Sequence, residues 1–215
     1  ASSAPRRQLF TLAGGHVLSV DTATDEVVDL GRIQTEGYHG FALSHDEGEV
    51  YVTDSFGLLT RSAGGGAAEP ETSTYVTPSG IEYNIPRVLA APDGLIYAGY
   101  TGPEAGLPRF HLSVLDPLGN LLHNQIYPFS SLGMDLTPEG RFIVLGNGDF
   151  IDRKSLGVVA HAPTGRAHNE VHVTADGLRA YVTNYNSTFA TVIDLRSAPV
   201  EVTKHVECPP PNHAH

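Results

Sequence analysis

Internal repetition constrains this chain more than any other feature. Residues 169–197 read NEVHVTADGLRAYVTNYNSTFATVIDLRS: strand, Asp-Gly turn, strand, polar turn, strand, with each apolar run alternating or β-branched. Residues 39–62 read HGFALSHDEGEVYVTDSFGLLTRS, and Tyr51-Val52-Thr53-Asp54 matches Tyr181-Val182-Thr183-Asn184 at an offset of 130 residues. Two further copies lie between them, RVLAAPDGLIY from Arg87 and GMDLTPEGRFIV from Gly133, both in the order strand, turn, strand. The unit is therefore about 40 to 45 residues long, and one such unit cannot bury its apolar faces without stacking on its neighbours.

A period of this length in strands predicts an all-β chain, a β-propeller of about five four-stranded blades in which residues 1–215 form a single domain. The segments PDG, TADGLRAYVTN and HGFALS resemble the YVTN-type repeat of seven-bladed propellers, a superfamily that also resembles bacterial and fungal lactonases. The resemblance covers nearly the whole chain and implies architecture; one propeller scaffold hosts enzymes, adhesins and ligand carriers alike. With strands named A to D from the channel outwards, residues 8–35 supply B, C and D of a first blade and no A strand precedes them. Residues 209–215, PPPNHAH, resemble the polar lead-in to an A strand, as Tyr38-His39-Gly40 does. They are expected to close the ring against the first blade, which would remove two open sheet edges. After Leu156–Ala162 the fourth unit reaches the next A strand in a few residues, too few for a normal outer strand, so a shortened six- or seven-bladed chain is the alternative count.

Composition narrows the function classes. The 23 Gly and 15 Pro fit short strands joined by tight turns rather than helices. A formal net charge of −11, with 13 basic residues and no basic run, argues against a nucleic acid partner. No apolar stretch approaches the roughly 18 residues of a membrane span, so none is expected. Cys208 is the only cysteine, which rules out an intrachain disulfide and leaves no base partner in sequence for a catalytic thiol. The opening Ala1-Ser2-Ser3-Ala4-Pro5 resembles the start of a mature exported chain and points to an extracellular or periplasmic location. Asn186-Ser187-Thr188 fits a glycosylation acceptor, which matters only in a eukaryotic secretory host.

Aligning the copies through the YVT segment gives columns for the channel. The entry column holds Tyr38, Ile85, Ser131 and His168; the next holds His39, Pro86, Leu132 and Asn169; the third holds Gly40, Arg87, Gly133 and Glu170. Two residues further in stand Ala42, Leu89, Asp135 and His172. Between them Val88, Ala90, Met134, Leu136, Val171 and Val173 stay apolar, as packing between blades requires. The copies diverge where the channel runs, and the polar set there is Arg87, Asp135, Glu170 and His172. An Arg between two carboxylates is costly to bury unless paired, so either an ion pair or an anionic ligand is expected. In the catalytic reading, Arg87 binds a substrate carboxylate or oxyanion, Glu170 or Asp135 accepts a proton, and His172 shuttles it. That set resembles the Arg, Glu and His of lactonase-like propellers in residue type.

On a strand of period two, His168, Glu170 and His172 share one face, and imidazole with carboxylate suits a divalent metal, an acid–base pair, or a hydrogen-bonded pair lining a wet channel. The two histidines would lie about 13 Å apart, so one ion cannot bind both. His39, His168, His172, His213 and His215 converge near one mouth if the tail closes the first blade, which makes a divalent Fe, Cu or Zn ion the candidate cofactor. Asn147–Asp152 reads as a polar turn, with an oxygen-rich cation loop as the alternative. Gly64-Gly65-Gly66 lacks the Lys and helix of a phosphate loop, and no GxSxG occurs. Three functions follow: a small-molecule lactonase, lyase or isomerase; a histidine-ligated metalloprotein; or a noncatalytic interaction scaffold.

Overall fold

A computed structural model describes residues 8–13, 16–32, 40–44, 49–53, 58–63, 72–75, 84–164, 168–184, 188–196 and 201–207. Their strands form five antiparallel sheets, each built from consecutive strands. The first sheet is β1 (Gln8–Ala13), β2 (His16–Asp21) and β3 (Val27–Arg32). The second is β4 (Gly40–Leu43), β5 (Glu49–Thr53), β6 (Leu58–Ala63) and β7 (Thr72–Tyr75). The third is β8 (Asn84–Ala90), β9 (Ile96–Glu104), β10 (Leu107–Leu115) and β11 (Leu121–Tyr127). The fourth is β12 (Met134–Leu136), β13 (Phe142–Leu145), β14 (Asp149–Asp152) and β15 (Val158–His161). The fifth is β16 (His168–Val173), β17 (Arg179–Asn184), β18 (Phe189–Asp194) and β19 (Glu201–Glu207). Each of β4, β8, β12 and β16 forms one edge of its sheet, and they lie next to one another in that order, as the inner strands of propeller blades do.

Turn chemistry holds each copy in register. Gly94, Gly140 and Gly177 each donate their amide to the carbonyl three residues back, at Ala91, Thr137 and Thr174, and each has a φ between 69 and 87°. That left-handed backbone is why each turn ends on glycine. Successive turns also nest. A Cβ on Gly140 would lie 3.0 Å from the Pro92 ring, and one on Gly177 3.4 Å from the Pro138 ring. At the far end of the third strand a second column appears: the Asp21, Asp116, Asp152 and Asp194 carboxylates accept the backbone amides of Ala23, Leu118, Lys154 and Arg196. Each aspartate closes the turn behind its own strand.

Four apolar clusters each fill one joint between sheets. Val17 meets Val50 and Val52; Tyr51 meets Val88 and Ala98; Tyr97 and Phe110 meet Met134 and Leu145; Val144 meets Val171 and Val182. The third and fourth sheets approach closely because Gly99 has no side chain: a Cβ there would fall 2.7 Å from Met134 Sδ. Among the described residues no core cluster joins the fifth sheet to the first, and the burial pattern agrees. The central strands β5, β9 and β13 bury nearly every residue, so both their faces are covered, whereas β17 alternates exposed and buried.

Three sequence expectations need correction. The fourth unit does have an outer strand, β15, reached by the turn at Arg153-Lys154-Ser155. Residues 147–152 are not one polar loop: Asn147-Gly148 forms the turn, and Asp149–Asp152 is the third strand of that blade, buried at Phe150 and Ile151. The regular alternation that would put His168 with Glu170 and His172 fails, because the β16–β17 register shifts between His168 and Val171. A like shift lies between Asn84 and Arg87 in the third sheet, so an extra residue re-aims the chain just before Arg87 and Glu170. The first sheet has three strands, as expected. The closing tail 209–215, Cys208 and Gly64-Gly65-Gly66 lie outside the described residues.

Candidate functional site

The columns read from sequence coincide with the observed registers. Gly40 faces Thr53, Arg87 faces Gly99, Met134 faces Leu145 and Val171 faces Val182. Thr53 and Thr183 both accept an inner-strand amide on their hydroxyl, from Gly40 at 3.1 Å and from Glu170 at 3.2 Å. The threonine of the YVT segment thus pins the entry of its own inner strand, a role the sequence reading did not assign. Its signal was the recurrence itself.

Arg87 and Glu170 are an ion pair. They belong to β8 and β16, and β12 lies between those strands, so the pair spans a whole blade at the channel. The Arg87 side chain is mostly covered while Glu170 is about half exposed. Burial holds the guanidinium below its ordinary value. Its Nε is buried and finds no hydrogen-bond partner among the described residues, which leaves the group incompletely satisfied although its charge is matched.

Asp135 stands in the next layer. Its Oδ2 accepts the Val173 amide of the following blade at 2.7 Å, and its Oδ1 accepts the Leu136 amide at 2.7 Å. Burial raises its pKa, opposed by those two amides and by the charge of His172. Both oxygens are therefore engaged, Oδ2 joining the fourth sheet to the fifth and Oδ1 within its own strand, so Asp135 acts first as a clamp. His172 Nδ1 lies 3.4 Å from Asp135 Oδ2, and the ring is 81% exposed. Nδ1 is thus the ring nitrogen near Asp135, on an imidazole that is otherwise largely exposed. Above this layer Ser131 and Thr101 exchange hydrogen bonds, with the Thr101 hydroxyl donating to the Ser131 carbonyl at 2.6 Å and accepting the Ser131 amide at 3.0 Å. They tie the entry of the fourth blade to the third sheet.

The structure thus brings Arg87 to Glu170 and His172 to Asp135, in two adjacent layers. Of the five expected metal ligands, only His172 has a described side chain: His168 lies in β16, and His39, His213 and His215 fall outside the described residues. Among the described residues no three His, Cys, Asp or Glu side chains group as a metal site. Two features escaped the sequence reading. His161 Nδ1 sits 2.7 Å from Asp149 Oδ1, and Asn147 Nδ2 donates to the other oxygen of Asp149 at 2.6 Å. At the opposite end of the blades, a cleft of about 370 Å³ is floored by Leu95 and Tyr97 and rimmed by Arg141, Arg153 and Lys154. Arg153 grips both oxygens of Asp93 and stacks over Tyr97, locking the fourth blade to the third.

No family model matches the sequence, and no curated protein does. Solved structures do. A Kuenenia stuttgartiensis hydrazine synthase chain aligns with a TM-score of 0.68 at 17% identity, over 90% of this chain and 63% of its own. The Cps50 (Swd1) β-propeller domain of Myceliophteria thermophila aligns at 0.66 with 10% identity, over 93% of this chain and 68% of its own. A chain of a nidogen/laminin complex aligns at 0.64 with 15% identity, over 89% and 72%. This chain spans somewhat less than two thirds of the hydrazine synthase chain that it matches. Relatives so different in sequence carry the architecture and nothing finer: the chain is all-β and has the β-propeller fold.

Proposed function

We propose that the channel end of this propeller binds a small organic substrate and performs proton-transfer chemistry of the lactonase, lyase or isomerase type, on a scaffold akin to YVTN-repeat propellers. The observation that carries this reading is the Arg87–Glu170 pair reaching across the fourth blade, with one guanidinium nitrogen left unpartnered. A substrate carboxylate or developing oxyanion would take Glu170's place on Arg87. The released Glu170 carboxylate would then be an uncompensated base beside the bound substrate, able to accept its proton. His172, whose Nδ1 lies 3.4 Å from Asp135 and whose side chain is largely exposed, would pass that proton to solvent. Asp135 serves as a positioning residue here, because both its oxygens already accept backbone amides.

The test is a panel of γ- and δ-lactones assayed by pH-stat for acid release. The wild-type chain is expected to open at least one of them. Glu170→Ala and His172→Ala should lower kcat by roughly 100-fold or more, the usual contribution of a positioned acid or base, with little change in thermal midpoint. Arg87→Lys should chiefly raise KM, since an ammonium does not reproduce the guanidinium fork. Turnover unaffected by Glu170→Ala, or absent from the wild type across the panel, would sink the reading.

A further inference from the structure

The cleft at the end of the blades away from Arg87 lies where the fourth blade departs from its own repeat. Registering the blades on Asp116, Asp152 and Asp194 places Arg153 at the position of Pro117 and Leu195, and Lys154 at that of Leu118 and Arg196. The turn after the inner strand differs as well. The amides of Ala91, Thr137 and Thr174 donate to the carbonyls of Leu95, Phe142 and Arg179, so the third blade's turn is one residue shorter. Arg141 therefore has no counterpart in the third blade and stands where Leu178 does in the fifth. The equivalent joint between the fourth and fifth blades, with Leu195 in the place of Arg153, holds about 100 Å³, whereas the joint that carries the cations holds about 370 Å³.

The three cations are not equally committed. The Arg153 side chain is only 10% exposed and is fixed on both oxygens of Asp93, so that pair forms part of the wall. Asp152 is held by its own turn, where Oδ1 accepts the amides of Lys154 and Ser155, and its Oδ2 lies 3.7 Å from Arg141 Nε, too far for a hydrogen bond. The Arg141 side chain is 68% exposed, and its guanidinium carbon rests 4.5 Å from the centre of the Phe142 ring. Among the described residues neither the Arg141 nor the Lys154 side chain makes a hydrogen bond. Three cations and two carboxylates leave an excess of one positive charge in the cleft, on a chain whose formal net charge is −11.

We propose that this cleft binds a small organic monocarboxylate. Arg141 and Lys154 take its charge, the planar guanidinium matching both carboxylate oxygens, and Leu95 and Tyr97 receive an apolar body. The cleft's volume lies at the lower end of the range for small-ligand sites. An excess of one charge favours a monoanion over a phosphate dianion. The site is at the opposite end of the blades from the Arg87–Glu170 pair, and the inference does not rest on the proton-transfer reading.

Titration of the whole chain at neutral pH and low salt, followed by saturation-transfer NMR, tests it with three probes that share a phenyl body: phenylacetate, phenylethanol and phenyl phosphate. Phenylacetate should saturate with a Kd of roughly 1 mM or below, and phenylethanol should bind about tenfold more weakly or less tightly still. Arg141→Gln and Lys154→Gln should each weaken phenylacetate by about fivefold or more, as expected for loss of a charge-assisted contact. Leu178→Gln, in the matching turn of the fifth blade, should leave its affinity unchanged. Arg87→Gln separates the two ends of the molecule: binding lost there and kept in Arg141→Gln would put the carboxylate in the channel and overturn the assignment. Phenylethanol bound as tightly as phenylacetate, phenyl phosphate bound more tightly than either, or saturation by none of the three would overturn it as well.

Discussion

Tyr51-Val52-Thr53 and Tyr181-Val182-Thr183 are the same three residues on the same strand of two blades, and their surroundings differ. In the second blade all three are buried; in the fifth, Val182 is buried while Tyr181 and Thr183 are exposed. Local structure does not distinguish them. Both strands pair antiparallel with inner-strand partners in the same register, and both threonines accept an inner-strand amide. The difference comes from the next blade. Tyr51 is covered by Val88, Ala98 and Leu115, and its hydroxyl donates to the Pro117 carbonyl at 3.2 Å. A repeat thus specifies its own strands and leaves half of its burial to its successor, which is how stability in a stacked array divides between unit and interface.

The largest effect that separates the two blades is expected from truncating this tyrosine. Tyr51→Ala empties a packed joint and orphans a carbonyl, and should cost about 3 to 5 kcal/mol. Tyr181→Ala removes a ring already part-exposed and should cost about 1 kcal/mol or less. Urea unfolding of both variants under identical conditions decides it. Equal losses would mean that the fifth blade's outer face is covered as fully as the second's.

Much of the fold was legible because the signals repeat: four inner-strand copies, the three described Gly-ended turns and the YVT strands all fell where alignment placed them. The Arg87–Glu170 pair was foreseeable as one of two ways to satisfy an Arg among carboxylates. The short outer strand Val158–His161 was missed because a four-residue strand leaves too little pattern to separate from loop. Asp152 was read with the polar loop, although as the partner of Asp21, Asp116 and Asp194 it ends a strand. The bulges before Arg87 and Glu170 carry no composition signal of their own, and the one in β16 interrupts the alternation from which a shared face of His168, Glu170 and His172 was expected. That both oxygens of Asp135 are taken, one by the Val173 amide of the next blade, follows from the joint between blades and cannot be read along one strand.

A smaller effect should separate the joint between the two interior blades from the joint reaching the fifth. Gly140 and Gly177 have the same φ, 69°, so replacing either by Ala carries the left-handed backbone penalty of about 1–2 kcal/mol. Only Gly140 is also confined, because a Cβ there would lie 3.0 Å from both Arg153 Nη1 and the Pro92 ring. Arg153 is committed to Asp93 and to the Gly140 carbonyl and has little freedom to withdraw. Gly140→Ala should therefore cost roughly 1 kcal/mol more than Gly177→Ala, a typical overpacking penalty. Combining each with Arg153→Ala sharpens the reading: the excess should shrink for Gly140→Ala, where the Pro92 contact remains, and stay absent for Gly177→Ala.

The smallest effect should ignore the difference between blades, because it arises within a single turn. Asp116 in the third blade is held below the usual carboxylate range, first by its hydrogen bond from the Asn120 side chain. Asp194 in the fifth is lowered to about 2, first by the Arg196 guanidinium. For a depressed carboxylate the unfolded chain binds the proton more readily. The stabilisation is therefore present above the ordinary carboxylate range and is lost as pH falls through the folded value. Asp116→Asn and Asp194→Asn should each lower the thermal midpoint slightly at pH 7, and each deficit should shrink as the pH approaches 2. Thermal scans from pH 7 to 2 measure this. A deficit at Asp194 that persists to pH 2 would mean that its contribution is not ionic. A deficit found in only one blade would mean that even these turns depend on what lies beside them, and the division between what a blade sets for itself and what its neighbour supplies would have to move inward to the turn.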